Sequence, residues 1–269
     1  MAPQIVLVTG SSSGLGLAMV QRLARDPDHR FIIIATVIAM SEKNDLEAAV
    51  KDYIDKAVFI KELDITKDGD IATVVGSVIN DHGRIDILLN IAGLALNEVP
   101  ERISREQIDK IFGVNVIGTI RLTQAVLPHM KENQSGKIIT FSSAAGRTGY
   151  PYLELYCASK FALEGFFESL AAGVRAFNIK VCLVEPGPIR TGLWDLTVKQ
   201  YKSLSNDDTI HAIDKRQLQH ELQQVLVAPV LEIDDAIERI MSNCITVDEP
   251  ALRLLITDTS LAQNTPDLS

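Results

Sequence analysis

The amino-acid sequence predicts an α/β fold: a doubly wound parallel sheet of about seven strands with helices on both faces. Three observations predict it. Short apolar runs recur along the chain, amphipathic stretches separate them, and the first run ends in a glycine-rich turn that opens a helix. The runs are "QIVLVT", "FIIIATV", "AVFIKEL", "IDILLNI", "GKIITFSS", "IKVCLVE" and, near the end, "ALRLLIT". Continuous strands rich in Val, Ile and Leu suit a parallel sheet buried on both faces, and the intervening helices provide the crossovers such a sheet needs.

In chain order, "LAMVQRLAR" reads as the helix after the first strand. "FIIIATVIAM" is the most apolar stretch, but ten residues are too short to span a bilayer, and its β-branched content suits a buried strand. The later strand and helix signals continue without a linker or an internal repeat as far as "EPGPIRTG". Beyond it, positions 193–229 are polar, Gln-rich and helix-prone. A segment of that length before the last strand reads as a helical substrate-binding insert or lid. Positions 1–258 therefore read as a single domain, and 259–269, "TSLAQNTPDLS", as a mobile tail.

The 269 residues are 46% hydrophobic and 23% charged, enough for a sizeable core, and carry a net charge of −9. That charge argues against nucleic acid as a partner, since a basic face supplies most of such affinity. Cys157, Cys182 and Cys244 are scattered, with neither metal-ligand spacing nor the density of a disulfide scaffold, so a reducing, cytoplasmic setting is expected. The five histidines form no zinc-type cluster, and no metal is expected. The start, "MAPQIVLVTG", lacks signal-peptide features, and no transmembrane segment is expected; peripheral membrane contact stays open.

The turn "TGSSSGLG" places Gly10, Gly14 and Gly16 between a strand and a helix. Glycines there let the backbone approach a pyrophosphate, while the helix N-terminus offers free N–H groups and a positive dipole end. Further on, "YCASKFALEG" sets Lys160 four residues after Tyr156, on one helix face. "NIAG" at 90–93, "VNVIG" with Asn115, "TFSSAAG" with Ser143 thirteen residues before Tyr156, and "EPGP" followed by Thr191 complete an ordered set. Together these motifs resemble the short-chain dehydrogenase/reductase family. The resemblance implies a single-domain Rossmann fold and an NAD(P)-dependent oxidoreductase.

Hydride transfer to or from a carbonyl carbon requires a proton at its oxygen. A free tyrosine, with a pKa of about 10, exchanges that proton poorly near neutrality, whereas a nearby ammonium and a positive nicotinamide ring both favour phenolate. Tyr156 is thus expected to be the acid/base, with its pKa lowered by Lys160. The resemblance implies the other roles. Ser143 would hydrogen-bond the substrate oxygen, Asn115 would hold a water relay to Lys160, and Lys160 would also bind the cofactor ribose. Cofactor contacts are implied for Gly10, Ser12, Ser13, Gly14, Leu15, Gly16, Ile65, Asn90, Ala92, Gly93, Pro186, Gly187, Ile189 and Thr191. Asp64 reads equally as an adenine contact and as an acid near a helix N-terminus.

At the end of the second strand, "ATVIAMSEKND" offers neither acid nor Arg from Val37 to Met40. An acid there would grip the ribose 2′-OH and repel a 2′-phosphate, so its absence gives a lean to NADP over NAD; Ser13 could donate a hydrogen bond to the phosphate, while Lys43 reads first as a solvated helix lysine and second as a phosphate contact. The strings around Tyr156, Asn115 and "LVEPGP" are similar to the steroid and retinol dehydrogenase branch of the family. One departure is Ile38, where that branch usually carries Arg. A small hydrophobic substrate, a steroid or a retinoid, is therefore implied, with Tyr150, Leu153, Leu193 and Trp194 lining its cleft beside Ser143 and Tyr156. His211 and His220 read as solvated helix residues or contacts to a distal hydroxyl. A broad-specificity carbonyl reductase and a non-catalytic dinucleotide-sensing regulator are the alternatives. The helices of Asn115 and Tyr156 read as apolar over more than one stripe, as expected of a homodimer.

Overall fold

The computed structural model describes residues 2–258; the expected tail at 259–269 lies outside the described residues. All seven apolar runs form strands: β1 (Gln4–Val8), β2 (Phe31–Val37), β3 (Val58–Glu62), β4 (Ile87–Asn90), β5 (Gly136–Phe141), β6 (Ile179–Pro186) and β7 (Arg253–Ile256). They make one sheet in the order β3-β2-β1-β4-β5-β6-β7, and every pairing is parallel. The strand order reverses between β1 and β4. A crevice opens beyond the C-terminal ends of the strands at such a point, where ligands of doubly wound sheets bind.

Side chains alternate along each strand, so the sheet feeds two cores. Val6 and Val8 pack with Met19 and Leu23 of α1 (Gly14–Ala24), Leu46 of α2 (Asn44–Ala49), and, late in the chain, Ile237 and Ile240. Ile5 and Leu7 belong to the opposite core. It contains Val75 and Val78 of α3 (Asp68–His82), then, after α4 (Arg105–Phe112), Val126 of α5 (Thr119–Glu132), and Phe167 of α6 (Glu154–Val174). Burial on both faces is why these strands read as continuous apolar runs.

A capping box starts α4: Ser104 Oγ accepts from the Gln107 amide at 3.2 Å, and Gln107 Oε1 accepts from the Ser104 amide at 2.7 Å. Between α4 and α5 the segment Gly113–Gly118 is wound as a π-helix, and a Cβ at Gly118 would stand 2.7 Å from the Ile65 carbonyl oxygen. The continuous stretch Arg105–Glu132 is long and apolar enough to cross a membrane by length and composition. In this fold, Leu122, Val126 and Met130 of that stretch are buried against the sheet.

The segment expected to form an insert folds into α7 (Gly192–Ser205) and α8 (Ala212–Val227). These helices close a third core, in which Tyr201, Leu204 and Leu218 meet Val99 and Tyr152 beside the strand ends. The last helix, α9 (Ile233–Ile240), carries the Ile237 and Ile240 side chains of the first core. Two cysteines that look unconnected in sequence come together here: Cys182 Sγ and Cys244 Sγ are 3.1 Å apart and buried.

Candidate active site

The crevice begins at the end of β1. Gly10 has φ +69° and Gly14 φ +53°, the left-handed region that favours glycine. A Cβ at Gly10 would stand 2.8 Å from Ala92 Cα, and one at Gly16 would stand 2.0 Å from the Gly10 carbonyl oxygen. The turn therefore lies flat against both the Asn90 to Gly93 loop and its own helix. Opposite it, Thr191 begins α7, with its Cβ 3.8 Å from the position of a Gly14 Cβ. The N-termini of α1 and α7 thus face each other, and neither Ser13 nor Thr191 caps its own helix with its side chain. Two positive dipole ends with free N–H groups fit the pyrophosphate of a dinucleotide. Ser12 and Leu15 are half-buried in this turn, and Ser13 is exposed.

Thr9, just before the first glycine of the turn, ties the two loops together. Its Oγ1 accepts from the Ile91 amide at 3.0 Å and the Ala92 amide at 3.1 Å. Asn90 is more deeply held than an open cleft residue: Nδ2 donates to Thr123 Oγ1 at 3.2 Å and to Thr140 Oγ1 at 3.1 Å. Its Oδ1 is buried without a partner. On the far side, Gly187 packs under Thr257, Ile189 is buried, and Pro186 is half-buried at the cleft wall.

Asn115 sits in the π-helical turn. Its Oδ1 accepts from the Leu94 amide at 2.8 Å, while Nδ2 donates to the Leu94 carbonyl at 2.9 Å and to Ser159 Oγ at 3.0 Å. A Cβ at Gly93 would stand 3.5 Å from Asn115 Oδ1 and 3.6 Å from Lys160 Nζ, so both groups converge beside Gly93. Ser143 starts a short turn after β5. Its Oγ accepts from the Ala145 amide at 3.1 Å, reaches the Pro186 carbonyl at 3.4 Å, and hydrogen-bonds Tyr156. Lys160 Nζ donates to the Phe141 carbonyl at 2.8 Å and stands 5.6 Å from the centre of the Tyr156 ring. The four residues singled out in the sequence therefore meet at one place.

The electrostatics of this place correct one expectation. In the protein alone the Tyr156 pKa is not lowered; burial pushes it up to about 12, with the Ser143 hydrogen bond pulling the other way. Burial also drives Lys160 down to about 8, opposed by the Glu164 charge. The reason is desolvation, which penalises whichever form is charged and here outweighs the attraction of an ammonium that does not touch the phenol oxygen.

Other predicted residues take quieter positions. Asp64 Oδ1 accepts from the Thr66 amide at 3.0 Å and from its hydroxyl at 2.7 Å, with Lys67 3.3 Å from Oδ2. Burial raises its pKa, but these bonds win and hold it below the usual carboxylate range, which favours the helix-entry reading. Ile65 is buried under Gly118. Lys43 is paired with Glu47 at 3.2 Å and so turns away from a phosphate role. The Met40 amide donates to Glu62 at 2.8 Å, and Ile38 is exposed. Tyr150 and Leu193 are exposed, Leu153 and Trp194 half-buried. His211 Nδ1 accepts from the Ile213 amide at the start of α8, and His220 is exposed.

Known proteins resemble this chain in sequence and in fold. The chain is 40% identical over 190 residues to retinol dehydrogenase 8 of Homo sapiens, covering 71% of this chain and 60% of that protein. It is 31% identical over 262 residues to human 17-beta-hydroxysteroid dehydrogenase type 1, covering 96% of this chain and 79% of that one. A solved short-chain dehydrogenase from Streptomyces avermitilis matches the fold with a TM-score of 0.80 at 27% identity, over 97% of this chain and 91% of that one. The model of the short chain dehydrogenase family matches residues 4–202, from β1 into α7, and the chain belongs to that family.

Proposed function

We propose that the chain is an NAD(P)(H)-dependent oxidoreductase acting on a hydrophobic alcohol or ketone of steroid or retinoid class. The observation that carries this reading is the convergence of Ser143, Tyr156, Lys160 and Asn115 beside the loop packed against Gly10. Gly10, Gly14 and Gly16, with the facing N-termini of α1 and α7, would hold the dinucleotide diphosphate. When bound there, the dinucleotide would supply or accept the hydride.

The chain's own part is to manage one proton at the substrate oxygen. Tyr156 donates it in reduction and takes it in oxidation, while Ser143 steadies the charge that develops there. Lys160, held by the Phe141 carbonyl, places a positive charge beneath the phenol. Asn115 fixes the Leu94 backbone and, through Ser159, the start of the turn that carries Tyr156. Leu193, Leu196 and Tyr150 are exposed, and in this reading they would give the cleft an apolar wall suited to a large lipophilic substrate. The similarity to retinol dehydrogenase 8 and to 17-beta-hydroxysteroid dehydrogenase type 1 supports that class. NADP(H) is the preferred cofactor in this reading, since no acid lies in the stretch from Val37 to Met40. Exposed Ile117 and Phe161 suit a homodimer, which a monomeric mass in solution would disprove.

The test is turnover of estrone and of all-trans-retinal, each with NADPH and NADH, with products separated by chromatography. Tyr156→Phe is expected to lose roughly two to four orders of magnitude in kcat while still binding cofactor. Conversion of neither compound despite bound cofactor would defeat the substrate assignment, and unchanged turnover in Tyr156→Phe would defeat the mechanism.

A further inference from the structure

The face of α6 that carries Lys160 carries a second buried charge one turn further on. Glu164 is four residues after Lys160, so both side chains leave the helix on one side, and they are 7% and 5% exposed. Lys160 itself makes no ion pair among the described residues; its hydrogen bond goes to the Phe141 carbonyl. Glu164 is held from the other side: its Oε2 accepts from Arg253 Nε at 3.0 Å. The same Arg253 nitrogen lies 3.4 Å from Oε1 of Glu185, which is fully buried and accepts from Arg147 Nε at 2.8 Å. Exposed Glu168 takes Arg253 Nη2 at 2.7 Å.

Buried Glu164 and Glu185 therefore share two guanidinium groups, and Arg253 divides its charge between them and the exposed Glu168. Glu164 Oε1, the oxygen that Arg253 does not take, is buried with no hydrogen-bond partner. It lies beside Gly146, next to the equally unpartnered Ser142 Oγ: a Cβ on Gly146 would stand 3.4 Å from the first and 2.5 Å from the second. The cluster thus ties α6 to the turn of Ser143, to the end of β6 and to β7. A buried charge with no opposite charge nearby is costly, so two opposite charges on one buried face of α6 constrain each other.

We propose that Glu164 is a positioning residue: anchored by Arg253, it is the counter-charge that keeps Lys160 an ammonium where the site works. The inference rests on the proposed role of Lys160 in hydride transfer. Burial lowers Lys160 to about 8, and the Glu164 charge opposes that fall. The groups facing the pair are few. On α6, Tyr156 lies on the other side of Lys160, and Cys157 accepts from the Tyr150 amide. Glu185 comes from β6, Arg147 from the turn after β5 and Arg253 from β7; Asn115 and Phe141 bring only an amide and a carbonyl oxygen.

The experiment compares the native chain with Glu164→Gln and Glu164→Asp. In the cofactor-free protein, the ε-carbon chemical shift of Lys160, assigned by its absence in Lys160→Met, is followed through a pH titration. The midpoint is expected to fall in Glu164→Gln and to lie between the two in Glu164→Asp. In turnover, kcat for reduction in Glu164→Gln should drop about tenfold at about pH 8.5 and less than about twofold at about pH 6.5. An unmoved midpoint, or an equal loss at both pH values in both variants, overturns the proposal. Should Glu164→Gln fail to fold, Glu164→Asp must move the midpoint in the same direction. A native chain that turns over no carbonyl defeats the functional reading instead, because the titration needs no substrate.

Discussion

A Cβ on Gly16 would stand 2.0 Å from the carbonyl oxygen of Gly10. That contact sets how closely α1 approaches the turn in front of it. Gly16→Ala must push the helix off the turn, at about 1–3 kcal/mol for the overpacking. The variant should lose that stability in a urea melt and at least about tenfold in dinucleotide affinity, because the amides at the start of α1 move with the helix. Gly14→Ala meets nothing closer than 3.8 Å and should cost only its left-handed φ, about 1 kcal/mol. Native affinity in Gly16→Ala would show that the turn does not hold the phosphates.

Lys160 holds its charge at the expense of stability. Its folded pKa of about 8 lies below the ordinary 10.5, so between those values the unfolded chain binds a proton that the folded chain has released. Stability from this group therefore rises with pH across that window, and below about pH 8 the buried ammonium costs about 3 kcal/mol. Lys160→Met removes that cost and leaves the Phe141 carbonyl without its donor, which costs about 1–3 kcal/mol. The expected result is an inactive variant that melts no lower than the native chain at pH 7 and loses stability relative to it as the pH is raised towards 10.5. A variant that melts lower at pH 7 would contradict this balance.

Glu62 bears on the choice of cofactor. It ends β3 opposite Val37 and holds the Met40 amide at 2.8 Å, beside the exposed Ile38. A carboxylate so placed repels a 2′-phosphate near the end of β2, and so weakens the NADP(H) preference that the uncharged stretch from Val37 to Met40 allows. Glu62→Gln keeps an acceptor for Met40 and removes the charge. The ratio of kcat/KM for NADPH over NADH should rise about fivefold. No change in that ratio would place the adenosine ribose elsewhere.

Tyr201 joins α7 to the loop before α6. Its side chain is buried, and its hydroxyl donates to the Pro151 carbonyl at 2.8 Å. Tyr201→Phe leaves that carbonyl unpaired, at about 1–3 kcal/mol. If α7 and α8 cover the substrate, KM for a lipophilic ketone should rise severalfold while cofactor affinity stays native. Equal losses in both would show that Tyr201 supports the fold rather than the cleft.

The strands could be read from the sequence because each is a continuous apolar run, a local property that does not wait for partners to be known. The shared face of Tyr156 and Lys160, and the glycine turn after β1, were legible for the same reason, since both follow from backbone geometry over a few residues. The Thr9 side chain was not. It bonds amides more than eighty positions away, and nothing in "VTGSSSG" announces them.

The sequence by itself determined the order of strands and helices, the spacing of the reactive groups and the family they resemble. Only the tertiary structure decided which groups share a charge. Arg253 reaches Glu164 across 89 positions, Thr191 comes to face Gly14, and Asn115 closes on Leu94 from a π-helical turn. Protonation was decided there too. A neighbouring ammonium by itself predicts a lowered Tyr156 pKa, whereas burial by elements far along the chain raises it and lowers Lys160. Periodicity and turn geometry depend on a residue and its near neighbours; the free energy of a buried charge depends on everything packed around it.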